Sequence, residues 1–285
     1  MEKIPIRQIK GAQQEPDFSE SFSIRDIRTL LAGKDMVQEL HRHDFFYILA
    51  LKKGAGNHDI DFLPNKICDH SVFFMRPGQV HRLVLKAESI GYLMQFSVEC
   101  YFPHDKIASQ LLRKASNTNH YQLDADRFQK LFTILTCIFQ EYADKQERYQ
   151  EVITANMGIF FIGLVRQHSS NPTDKANLYM QERLAALLEL LEASVSSHKQ
   201  VSQYAALLNL STYQLNAITK ATLGKTCSEL INEYILLEAK RYLLATSNPI
   251  NQLADHLGYE DVSYFIRFFK KHTGYSPEAF RQNSR

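Results

Sequence analysis

The sequence is poor in cysteine. Its four, Cys68, Cys100, Cys137 and Cys227, lie far apart with no Cys-x-x-Cys pair. That spacing argues against a zinc ribbon and against a disulfide framework, and leaves reduced thiols in a cytoplasmic protein as the expectation. Net charge is scarce too, at +2 for 285 residues. So small a total announces no polyanion partner, and any nucleic-acid-binding face must be local. Long apolar runs are missing: the longest apolar-rich stretch, MGIFFIGLV at 157–165, is about half of a membrane span, and MEKIPIRQIK at the start carries charge without an apolar segment. No membrane partner is expected. Three catalytic signatures are also absent, namely Gly-x-Ser-x-Gly, His-Glu-x-x-His and a phosphate-binding loop.

What is present is an ordinary globular composition, 45% hydrophobic and 22% charged, with enough length for two domains. From about residue 20 to 98 short β-like runs alternate with turn signals: FSIRDIRTLL, FFYILALKKG, GNHDIDFL, SVFFMRPGQ, HRLVLK and IGYLMQFS. Strands at this spacing predict a β-sandwich or small barrel. After NTNHYQLDADR the apolar period lengthens to that of a helix. Phe128, Leu131, Phe132, Leu135, Ile138, Phe139 and Tyr142 form one stripe; Val152, Ile153, Met157, Phe160, Phe161, Leu164 and Val165 form a second. Two amphipathic helices therefore follow the strands, either as cover for the barrel or as a dimer interface. HSSNPTDKAN at 168–177 breaks the pattern and reads as a linker. The expected division is a barrel at 1–123, a helical dimerisation or coupling region at 124–168, a linker at 169–176 and an all-helical domain at 177–285.

That last domain contains a duplication. Val201, Ala205 and Leu208 match Ile250, Ala254 and Leu257 at an offset of 49; Leu215, Lys220, Gly224 and Leu230 match Phe265, Lys270, Gly274 and Phe280 at an offset of 50. Each copy reads as a short helix, a tight turn and a second, capped helix. Ser211 with Gln214 forms a capping box in the first copy, and Asp261 is the N-cap in the second. This is helix-turn-helix geometry. Between the copies, Thr226 and Glu229 open a helix that stops before Pro249, about 20 residues or ~30 Å long. Such a spacer approximates one turn of B-DNA, about 34 Å. Residues 196–285 hold ten Lys/Arg against seven Asp/Glu, a weakly basic balance of +3.

In the second copy the ordered residues Ile250, Leu253, Ala254, Gly258, Tyr259, Tyr264, Phe265, Arg267, Phe269, Lys270, Gly274, Pro277, Phe280 and Arg281 resemble the DNA-binding domain of the AraC/XylS family of bacterial transcription regulators. The resemblance covers roughly 177–285. It implies a DNA-binding regulator, not an enzyme, with double-stranded DNA, a small-molecule effector and RNA polymerase as partners and a homodimeric state. Phe265 and Phe269, four apart, should anchor the recognition helix in the core. Ser263, Ile266, Arg267 and Lys270 are then left for the groove, with Arg267 suited to a guanine edge and Lys270 and Lys271 to phosphates. The first copy departs from the family pattern, having Ala217 and Thr219 where Arg and Phe are usual. Its candidate contacts are Thr212, Tyr213, Asn216 and Lys220, with Asn216 able to read adenine.

In the amino-terminal part, HRHDFFYILALKKG and RPGQVH resemble the two motifs of the cupin barrel. The fold class expected overall is α+β multidomain: a cupin-like barrel with following helices, then two helix-turn-helix units joined by a long helix. His41 and His43 share a strand face and His81 can join them, the beginning of a metal site. Tyr47 stands where a metal-binding cupin carries Glu, so no metal and no cofactor are expected, and the reading is either an effector pocket lined by His41, His43, Tyr47, Phe74, Met75 and His81 or a structural histidine cluster bonded to backbone. A metal-dependent cupin enzyme with an appended helical domain, or a regulator without a ligand, are the alternatives.

Overall fold

Strand β4 (Phe46–Lys53) shows how the amino-terminal part is layered. Its residues are buried on both faces from Phe46 to Leu51. Tyr47, Leu49 and Leu51 join one apolar cluster, while Phe46, Ile48 and Ala50 join another. A strand with core on either side reads as a continuous apolar run and needs cover on both faces.

In the computed structural model, residues 4, 6, 7, 9, 18, 21–101, 106–167 and 175–283 are described. The strands are β1 (Ile6–Arg7), β2 (Phe22–Asp26), β3 (Met36–His43), β4, β5 (Gly56–Ile60), β6 (Leu63–Ile67), β7 (Ser71–Met75), β8 (Val80–Leu85), β9 (Ile90–Phe96) and β10 (His120–Gln122). They form two five-stranded sheets, ordered β1-β3-β8-β5-β6 and β10-β7-β4-β9-β2. Tyr47, Leu49, Leu51, Phe73, Met75 and Leu93 from the second sheet meet Ile60, Ile67, Leu83 and Leu85 from the first, filling the space between them. Pro64 lies in β6, at a sheet edge, where its missing N–H breaks no interior ladder.

The outer face of the second sheet is covered by α2 (Lys106–Ser116), α3 (Ala125–Asp144) and α4 (Tyr149–Val165). Phe128, Leu131, Leu135 and Ile138 of α3, with Ile153, Met157, Phe160, Phe161 and Leu164 of α4, pack against Phe46, Ile48, Phe74, Met94 and Phe96. Apart from the exposed Val152, the two stripes are therefore cover for the sheet. FSIRDIRTLL, expected as a strand, is β2 followed by the short helix α1 (Ile27–Leu31). The switch occurs at Asp26, whose carboxylate accepts the N–H groups of Arg28 (2.7 Å) and Thr29 (3.2 Å) and so caps the helix. Helix α2 falls inside the segment expected to be barrel alone.

By contact density the chain forms two compact units, Pro5–Ser170, and Asn171–Arg285 with Met1–Ile4. Of the expected linker, 169–174 lie outside the described residues, and Lys175 already opens helix α5 (Lys175–Ser194). After it come α6 (Val201–Leu207), α7 (Thr212–Leu223), α8 (Cys227–Ala245), α9 (Ile250–His256), α10 (Val262–Thr273) and α11 (Pro277–Asn283). No helix among the described residues is long and apolar enough to cross a membrane.

Candidate nucleic-acid interface and histidine cluster

The duplication is repeated in atomic detail. In the first unit, α6 and α7 are joined by a turn in which the Leu210 N–H donates to the Ala205 carbonyl at 2.9 Å; in the second, between α9 and α10, Tyr259 donates to Ala254 at the same distance. The left-handed residue of the turn is Asn209 (φ 53°) in one unit and Gly258 (φ 69°) in the other. Ala205 and Ala254 are both buried, as small residues at a helix crossing should be. Both second helices end on a left-handed glycine, Gly224 (φ 70°) and Gly274 (φ 82°), whose N–H groups donate to the carbonyls of Lys220 and Lys270.

Capping fixes where these helices begin. The Ser211–Gln214 box opens α7, the Thr226–Glu229 box opens α8, and Asp261 caps α10 through the Ser263 N–H at 2.7 Å. The spacer α8 has 19 residues, hence a length of about 28 Å. Ile231, Ile235, Ala239 and Leu243 of α8 are buried along its length, so packing holds it between the units. Arg281 of α11 is buried and donates from Nε to the Leu243 carbonyl (3.1 Å) and from Nη2 to the Asn248 carbonyl (2.6 Å), fastening the chain terminus to the end of the spacer.

On α10, Phe265 and Phe269 are fully buried, while Ser263, Arg267, Lys270 and Lys271 are exposed and Ile266 is half-buried. Arg267 Nη2 lies 3.7 Å from the Asp261 carboxylate, both side chains being largely exposed, so the guanidinium is held loosely near the start of its helix. On α7, Leu215 and Ile218 are buried, and Thr212, Tyr213 and Lys220 are exposed, Tyr213 to 82%. Asn216 is also engaged with backbone: its Nδ2 donates to the Thr212 carbonyl (3.0 Å) and its Oδ1 accepts the Cys227 N–H (3.0 Å).

The barrel interior brings four imidazoles together. His41 and His81 are cross-strand partners on β3 and β8, His43 ends β3, and His58 comes from β5, the next strand of the same sheet. All four are buried. The Nε2 of His81 lies 2.8 Å from the Nε2 of His43 and 3.0 Å from that of His41, and its Nδ1 lies 2.8 Å from the Nε2 of His58. Burial, helped by repulsion from His120 and His41, pushes the His58 pKa down to about 3, so its ring is neutral. Tyr47 stacks on His43 with ring centres 5.4 Å apart, and Met75 shares its inward face.

Phe74 is not in this lining. It faces the helices and stacks on Phe161 at 5.6 Å, while its neighbour Phe73 points inward against His58. His58 itself was missed, although its alternation with Ile60 in GNHDI places both on the inward face of β5. His120, on β10, stacks on Phe73 from the sheet edge.

Two paired helices held on one spacer, each presenting an exposed second helix, define a helix-turn-helix DNA-binding transcription regulator. Comparison with known proteins agrees. Residues 204–283 match the family profile described as a helix-turn-helix domain. The HTH-type transcriptional activator RhaS of Pectobacterium carotovorum is 24% identical over 254 residues, covering 86% of this chain and 88% of that protein. RhaS of Escherichia fergusonii is 26% identical over 251 residues, covering 85% and 87%. Among solved structures, an AraC-type DNA-binding regulator from Chromobacterium violaceum is 25% identical with TM-score 0.34, over 37% of this chain and 95% of that one. Fatty-acid-bound ToxT from Vibrio cholerae is 15% identical with TM-score 0.42, over 95% and 96%. Residues 204–283 of this chain thus match a helix-turn-helix domain, and the relatives similar to it along most of its length are transcription activators.

Proposed function

We propose that the regulator reads its operator chiefly through α10, with Arg267 on a guanine edge, Ser263 and Ile266 beside it, and Lys270 and Lys271 on phosphates. The observation that carries this reading is the division of α10 into a buried Phe265–Phe269 edge and an exposed cationic face. Helix α7 supplies Thr212, Tyr213 and Lys220, and lacks a guanidinium because Ala217 stands where α10 has Arg267. It therefore contributes backbone contacts and packing on sugars or thymine methyls more than hydrogen-bonded base choice. Replacing Arg267 with alanine will remove about 1–3 kcal/mol of discrimination at one base pair, whereas Lys271→Ala will weaken binding to all sequences alike and lower its salt dependence. Binding-site selection with the two variants checks this; an unchanged base preference in Arg267→Ala overturns it.

In this reading the barrel is the sensor of a small effector and is not a catalyst, as its relatives' activity as transcription activators supports. The protein works as a homodimer in the cytoplasm. On α4, Val152, Ile159 and Ile162 remain 39%, 54% and 41% exposed on one face of a helix whose other side is core. That apolar stripe suits a second copy of the chain. Ile159→Glu with Ile162→Glu will convert the dimer to a monomer in sedimentation velocity, and a chain that stays dimeric shows that the stripe is not the interface.

A further inference from the structure

We infer that Lys199 is a positioning residue for DNA reading, a cation that sets the direction of α10 against the first unit through the ring of Tyr259. The inference rests on the reading of α10 as the helix that chooses bases. Lys199 lies in the loop between α5 and α6, and one side of that loop is tied to the first unit. Val195 is buried in its core, the Tyr204 hydroxyl donates to the His198 carbonyl at 2.9 Å, and Gln203 Oε1 accepts the N–H groups of Lys199 and Gln200, each at 2.9 Å. The other side meets the second unit. Lys199 Nζ sits 5.0 Å from the centre of the Tyr259 ring and donates to the Ser196 carbonyl at 3.0 Å. Gly258 permits this approach, because a methyl group there would lie 2.1 Å from the same carbonyl oxygen and 2.7 Å from the amine.

Tyr259 carries the contact into α10. Its ring centre lies 5.3 Å from that of Phe265 and 5.9 Å from those of Tyr264 and Phe268. Tyr264 is exposed next to Ser263, so a tilt of the Tyr259 ring alters the surface that α10 offers to the groove. Tyr259 and Phe268 also border the apolar core of the first unit. Apolar burial is non-directional, however, whereas an ammonium over a ring face is drawn to one place by the ring quadrupole. Stability does not account for the charge. Burial holds the Lys199 pKa below the usual lysine value, so desolvation outweighs the attraction of its neutral partners, a carbonyl and a ring. Methionine would keep the aliphatic packing of the side chain without that cost.

The test uses the full chain and the duplex that the native chain selects from a random library. Lys199→Met will lower affinity for that duplex about tenfold, leave binding to random duplex and its salt dependence unchanged, and keep the native urea midpoint. Lys199→Arg, which retains a cation over the ring, will recover most of the loss. In an Arg267→Ala background the loss on Lys199→Met will shrink, because a misplaced reader forfeits only what its side chains would have gained. Additive losses overturn the proposal. So do equal losses on selected and random duplex with a smaller salt slope, which mark a phosphate contact, and a loss that comes only with a lowered urea midpoint, which marks a structural lysine. A second measurement holds even where Lys199→Met fails to fold. With lysine side chains labelled with carbon-13 and the Lys199 signal assigned by its absence in Lys199→Arg, the ε-methylene protons of the native chain will be shifted upfield by the Tyr259 ring. A shift equal to that of a fully exposed lysine overturns the proposal. An unchanged base preference in Arg267→Ala would instead count against α10 as the reader, with the ring-current shift unaffected.

Discussion

Gly258→Ala will lower the stability of the helix-turn-helix domain by about 3 kcal/mol or more. Two costs combine. An L-residue in the left-handed region costs about 1–2 kcal/mol, and Gly258 has φ 69°. A methyl group there would also sit 2.1 Å from the backbone oxygen of Ser196, an atom that cannot swing aside as a side chain would. Gly224 isolates the first cost, since it has nearly the same φ and nothing within 4 Å of the added carbon. Gly224→Ala should therefore lose only about 1–2 kcal/mol. Asn209 occupies the equivalent turn of the first unit, so Gly258→Asn keeps a residue tolerant of that backbone and retains the collision. Amide hydrogen exchange over 196–283 in the full chain measures all three. Native protection in Gly258→Asn would show that the approach to Ser196 is not limiting.

Arg281→Ala is expected to cost about 3 kcal/mol, because two hydrogen bonds from a charged donor are lost and the Leu243 and Asn248 carbonyls are left beneath α11. Arg281→Lys will recover only part of this, since one ammonium cannot reach two carbonyls in a fixed fork. The salt dependence of DNA binding by the lysine variant should match that of the native chain, because Arg281 is a buried structural cation and not a phosphate contact. The urea midpoint followed by circular dichroism gives the stability term. A midpoint in Arg281→Ala equal to the native value would remove Arg281 from the fastening of the terminus.

The helical half was legible because its signals are local. Ser211 with Gln214, Thr226 with Glu229, and Asp261 announce helix starts from residues three or fewer apart, and the structure has all three caps. The spacing of Phe265 and Phe269 likewise gave the buried edge of α10. The barrel half was less legible because its central strands β4, β7 and β9 are buried on both faces. In SVFFM, Phe73 and Phe74 are equally apolar, and only the register with β4 decides which one faces His58 and which one Phe161. The backbone contacts of Asn216 were not legible for a related reason. Its partner, the N–H of Cys227, is eleven residues away and is brought to it only by the fold.

That hydrogen bond also limits the DNA. Asn216 hangs from α7 and holds the first residue of α8, so a shift of α7 either breaks this hydrogen bond or draws along the helix that leads to the second unit. An operator lengthened by five base pairs between its two contacted segments turns one of them to the far side of the duplex. Ten extra pairs restore its direction but move it about 34 Å along the axis, out of reach. With both units on the duplex, as proposed, such a protomer is expected to favour one separation, so its promoters would be constrained in phase as well as in letters.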